Sequence, residues 1–119
     1  MKPIIIGAGL LVAIGCGGNA TSVTPRTANK TAETTAAIAA AETAVTKDQP
    51  QASLYLKLAK DQLREAKELM QEDETDKAQL VLERATADAE LALMLARESD
   101  AKEKAERARQ QVESLPDSP

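Results

Sequence analysis

Residues 52–96 read ASLYLKLAKDQLREAKELMQEDETDKAQLVLERATADAELALMLA, and this stretch decides the fold. Ala52, Leu56, Ala59, Leu63, Ala66 and Met70 recur at alternating steps of four and three, which places them on one helix face. Ala78, Leu82, Ala85, Ala89, Ala92 and Ala96 repeat the stepping beyond the acidic turn Glu72-Asp73-Glu74-Thr75. Folding at that turn sets Met70 opposite Ala78, Ala66 opposite Leu82, Leu63 opposite Ala85 and Leu56 opposite Ala92, so large side chains meet small ones. Ala59 opposite Ala89 is the mid-hairpin layer with two small residues, where the backbones are expected to approach closely. The stretch specifies an antiparallel helical hairpin of about residues 50–72 and 75–113.

Composition sets the energy scale. Of 119 residues, 43% are hydrophobic but only 1% aromatic, so the apolar content is mostly alanine and the core is thin. At about 25 cal/mol per Å², an alanine face contributes less than the roughly 1.5 to 3 kcal/mol of each buried leucine, which leaves room for stabilisation by oligomerisation or by a partner. The 15 basic and 19 acidic residues are mixed along the chain with no basic stripe, so nucleic acid is not an expected partner. Histidine, tryptophan and phenylalanine are absent and Tyr55 stands alone, which removes the usual general base, the commonest zinc ligand and any base-stacking platform. No catalytic residue, metal ligand or cofactor is therefore assigned.

The first fifteen residues are a targeting segment rather than fold. Met1-Lys2 is a short basic start, and the apolar run 3–14 is too short to span a bilayer but suits a secretory signal. It ends in Ala13-Ile14-Gly15-Cys16, which resembles a bacterial lipobox: cleavage before Cys16 leaves that cysteine to carry the lipids and to hold the chain to a membrane. The competing readings are a free thiol, or an ordinary secretory cut after Ala20 that releases a soluble periplasmic protein. Cys16 is the chain's one cysteine and so has no disulfide partner within it, which favours lipidation. Gly17 follows where aspartate is absent, and lipoproteins resembling this one are forwarded to the outer membrane, facing the periplasm; retention in the plasma membrane is the alternative. Residues 16–30 then read as lipidated cysteine and flexible tether, small, polar and interrupted by Pro25.

A single helical domain is expected over 31–115, all-α and up-down-up, with a tail at 116–119. Its first helix, from Thr31 to about Lys47, is alanine-rich and carries only Ile38 and Val45 as large apolar groups, so it is expected to pack without anchoring. Pro50 restarts the chain, with Asp48 or Gln49 near the cap, and Asp73 or Thr75 is expected to cap the third helix. The alternative for the acidic turn, a calcium loop, lacks the alternating acids, central glycine and closing glutamate. At about 38 residues, or near 57 Å, the third helix outruns the second and projects past the hairpin. Acid-first pairs at a spacing of four (Glu98 with Lys102, Asp100 with Lys104, Glu103 with Arg107) support the solvated part.

The order Ala59, Leu63, Ala66, Met70, an acidic turn, then Ala78, Leu82, Ala85 and Ala87-Asp88-Ala89-Glu90-Leu91-Ala92 resembles the bacterial domain of unknown function 4398 over about residues 36 to 97. That resemblance implies an alanine-rich helical module of envelope lipoproteins with no settled activity. The glycine-free turn departs from it; in relatives a peptidoglycan-binding domain often follows the module, and at 119 residues this sequence is expected to be too short to contain one.

Two function classes follow. The first is a non-catalytic envelope lipoprotein whose hairpin acts as a scaffold or adaptor; the second is a carboxylate-dependent cell-wall enzyme, for which Glu72, Asp73, Glu74 and Asp76 are the cluster to test. Paired-acid chemistry requires one carboxyl in a dry pocket, and four acids on an exposed turn offer none. The first and second helices supply too few large side chains to cover the third. The expected partner surface, for a homo-oligomer or another envelope protein, is therefore Leu91, Met94 and Leu95, running toward Val112.

Overall fold

The computed structural model describes residues 24–116, so Cys16, the signal segment before it and residues 117–119 lie outside the described part. Three helices follow in order: α1 (Pro25–Ala44), α2 (Pro50–Gln71) and α3 (Thr75–Glu113). The hairpin and its boundaries are those implied by the stripes, and the chain is all-α and up-down-up among the described residues. α2 runs antiparallel to α3, and α1 packs chiefly on α3 with a smaller contact to α2.

The hairpin keeps the expected register. Ala66 and Leu82 share one buried cluster with Ala78 and Val81, against which Leu63, Leu69 and Met70 pack, and Ala59 meets Ala89 in a second cluster. Across the same seam Gln62 Nε2 donates to Asp88 Oδ2 at 2.8 Å. The tightest line is nevertheless alanine, with Ala52, Ala59 and Ala66 of α2 fully buried while Leu56, Leu63 and Met70 are half-buried beside them. Close approach of two backbones on small residues pushes the longer side chains to the flanks of the contact.

Two expectations about the fold require correction. The first concerns α1. It was expected to begin at Thr31 after a tether, yet it begins at Pro25, where Thr24 caps the first turn by accepting from Thr27 N at 3.3 Å and the proline occupies a position whose missing N–H costs nothing. The earlier start adds Thr27 to a buried line of Thr27, Thr34, Ile38 and Ala41. Ile38 also anchors more than expected, because it seats on Ala59 and Ala89, where two small residues leave room for a side chain from the third helix.

The second correction concerns the cap of α3; at α2 the expectation holds. Gln49 occupies the α2 N-cap, as expected, and its side chain is free of the helix amides. Instead Oε1 accepts from Thr46 N at 3.1 Å, while Nε2 lies 3.4 Å from Ala96 O and 3.2 Å from Asp100 Oδ1. The buried glutamine thus ties the α1–α2 connection to α3. At α3 the N-cap is Glu74, again with no side-chain bond, so neither Asp73 nor Thr75 caps the helix. Asp73 is needed elsewhere: it takes φ +60° and ends α2, with Glu74 N donating to Leu69 O at 2.9 Å. That is the position where glycine is usual, and here an aspartate bears the left-handed backbone.

Candidate interaction surface

Two faces of α3 are spoken for, and a third is open. Toward α2 lies the alanine line; toward α1 lies a row of hydroxyls. Gln79 Nε2 donates to Thr27 Oγ1 at 3.0 Å, and the Thr34 and Thr86 hydroxyls lie 2.8 Å apart in the interior. Both pairs are separated by 52 positions in the chain, which makes α1 parallel to α3 and in strict register. Thr34 also reaches Lys30 O at 2.9 Å, and Thr86 reaches Leu82 O at 2.9 Å, so each of these two hydroxyls has a carbonyl four residues back within its own helix. Thr27, Thr31, Thr34, Ile38, Ala41 and Val45 carry the same stepping of four and three as the hairpin. Counting threonine as a possible interior residue would have revealed this face; reading apolar residues alone hides it.

The open face of α3 carries Leu80 (60% exposed), Leu91 (37%), Met94 (66%) and Val112 (68%), with Ala87, Ala101, Ala105 and Ala108 exposed between them. Of the expected partner residues, Leu91, Met94 and Val112 therefore share one uncovered stripe. Leu95 does not join them: it is half-buried and lines a surface cleft with Pro50, Ala52, Ser99 and Lys102 beside the start of α2. Leu80 was missed, although continuing the stepping backward from Leu91 through Ala87 and Arg84 leads to it. A second exposed pair, Leu54 and Leu58, lies on α2.

Beyond Asp100 every described residue of α3 is exposed, about 20 Å of helix for residues 101–113. Ion pairs of Glu98 with Lys102 at 2.7 Å and Glu103 with Arg107 at 2.9 Å support this part. The contact with Lys102 holds the Glu98 carboxyl below its ordinary range, first through the hydrogen bond and then through charge. Asp100, expected to pair with Lys104, accepts from Gln49 instead. At the other end Glu74 is ion-paired with Lys77, and this hydrogen bond and charge raise the lysine above its usual value. Glu72, Asp73 and Asp76 are exposed around it, and among the described residues no three His, Cys, Asp or Glu side chains are placed to hold a metal ion.

The family pattern described as Domain of unknown function (DUF4398) matches residues 29–113. The chain belongs to the DUF4398 family. Its match begins before the hairpin and runs to the end of α3, so the family's pattern takes in most of the hydroxyl-bearing α1 and the projecting end of α3 along with the alanine seam. No curated protein and no solved structure matches this DUF4398 chain. No described helix is long and apolar enough to cross a membrane.

Proposed function

We propose that this DUF4398 chain is a non-catalytic, lipid-anchored scaffold or adaptor of the bacterial envelope, attached through Cys16 to the outer membrane and facing the periplasm. The observation that carries the proposal is the uncovered stripe on α3, which continues past the end of the bundle as a bare helix. A helix that is apolar on a face its own domain leaves open is built to receive another helix. The sequence Ala13-Ile14-Gly15-Cys16 supports the address, and only residues 17–24 separate that cysteine from α1. This spacing keeps the bundle close to the lipid surface.

Mass spectrometry of the protein extracted from membranes tests the anchor. The expected product begins at Cys16 and carries a diacyl or triacyl mass, recovered with outer-membrane markers on a density gradient. A soluble product beginning after Ala20 overturns the anchor, and recovery with plasma-membrane markers overturns the address alone.

A further inference from the structure

The outer stripe of α3 has its own polarity, and that polarity selects an occupant. We propose that a second copy of this chain packs antiparallel along it, with Leu91 of each copy opposite Met94 of the other. The proposal rests on the preceding reading only in taking the stripe to be an interface; it does not depend on Cys16.

Stepping of four and three is sustained along α3 from Leu80 to Val112, an average period of about 3.5 that keeps one face turned to a partner helix. Two charged residues interrupt it, Arg84 and Glu98, both exposed and of opposite sign. Parallel copies stack arginine on arginine and glutamate on glutamate at these levels. Antiparallel copies centred between Leu91 and Met94 bring Arg84 of one within a helical turn of Glu98 of the other.

The flanks agree. One flank of the stripe is occupied by the protein itself: Val81 is buried, Asp88 is bonded to Gln62, and Leu95 lies beside the start of α2. The other flank is exposed and reads Glu83, Glu90, Arg97, Lys104, two acids followed by two bases. In an antiparallel pair this flank meets itself in reverse, so Glu83 faces Lys104 and Glu90 faces Arg97, each twice by symmetry. In a parallel pair the contacts run between flanks, and Glu83 meets Asp88, Arg97 meets Lys102 and Lys104 meets Arg109, all of like sign. Size complementarity points the same way, since the antiparallel register sets Leu80 against Ala105. Glu83 shares a surface cleft with Arg26, Asn29 and Lys30 of α1, so α1 lies on the free-flank side. Both α1 helices then fall on one face of the pair, and both chains enter it at Thr24 from that face.

Photocrosslinking in cells tests this with the full-length chain. A benzoylphenylalanine replacing Met94 is expected to give a covalent dimer mapped to the neighbourhood of Leu91, and one replacing Leu80 is expected to map near Ala105. Glu83→Lys with Glu90→Lys, which turns four attractive contacts repulsive, lowers the dimer yield on the order of tenfold. Adding Arg97→Glu and Lys104→Glu to the same chain restores it, because the reversed charges again meet their opposites. Crosslinks from Leu80 to the neighbourhood of Leu80 overturn the antiparallel arrangement, as does failure of the fourfold variant to recover. Crosslinks to a different protein alone overturn self-pairing and leave the adaptor reading standing. No crosslink from either position overturns both uses of the stripe, whatever Cys16 carries.

Discussion

Toward α2, helix α3 buries Ala78, Leu82, Ala85, Ala89, Ala92 and Ala96; toward α1 it presents Gln79 and Thr86 to Thr27 and Thr34. The two seams hold equally regular packing with opposite chemistry. On the alanine side the contacts are non-directional, and register comes from shape: a large residue such as Leu82 occupies the space left by Ala66 and Ala78. On the hydroxyl side register comes from direction, because a shift of one residue turns Thr34 away from Thr86 and leaves Gln79 without Thr27. The intrahelical carbonyls at Lys30 and Leu82 keep the hydroxyls partnered in any register, so the polar seam can discriminate at little desolvation cost.

The largest effect expected is in the alanine seam. Leu82 is the largest fully buried side chain among the described residues, and Leu82→Ala should cost about 2 to 5 kcal/mol in denaturant unfolding followed by helical circular dichroism. A loss below about 1 kcal/mol would mean that shape at this layer does not hold the hairpin. Ala89→Leu probes the same seam from the opposite direction. Ala89 meets Ala59 and Ile38, so the added bulk should cost about 1 to 3 kcal/mol, against less than about 0.5 for Ala87→Leu on the open face.

Thr34→Val removes a hydroxyl from the other seam at nearly constant volume and should cost about 1 kcal/mol. Paired with Thr86→Val, the double variant should lose less than the sum of the two, since the 2.8 Å contact between the hydroxyls is lost in either single variant, although Thr34 also reaches Leu82 O at 3.3 Å. Strict additivity would show that only the intrahelical bonds count. Asp73→Gly touches neither seam and should raise stability by up to about 1 kcal/mol by relieving the left-handed aspartate.

The smallest effects are of pH, and they belong to the ends of α3. The Glu98 carboxyl is lowered from 4.5, so its contribution is present above that value and disappears as pH falls through the lower folded one. Lys77 is raised from 10.5, so its contribution is present below that value and disappears as pH rises through the folded one. Amide protection, taken relative to the intrinsic exchange rate at each pH, should therefore fall in residues 98–113 in acid and near Lys77 in strong base. The Thr34 and Thr86 region should keep its protection at both extremes, because its hydrogen bonds involve no titratable group.

The hairpin was legible in the sequence because its determinants are local and periodic. Alternating steps of four and three name the buried face, Pro50 and the acidic turn mark the ends, and folding at the turn leaves one register in which large meets small. The uncovered stripe was legible for the same reason at Leu91, Met94 and Val112. Leu80 lies on the same stepping, reached backward from Leu91 through Ala87 and Arg84. Tertiary structure alone decided how α1 is used. Threonine is polar on any hydropathy reading, and whether its hydroxyl points to water or to a carbonyl four residues back depends on which neighbour covers that face. Thr27 and Thr34 are interior because α3 offers Gln79 and Thr86 at the matching levels, some fifty residues away in the chain. Leu95 was decided in the same way, since its periodic position allows either flank and the start of α2 takes it. Periodicity names a face, but what lies against that face depends on residues distant in sequence.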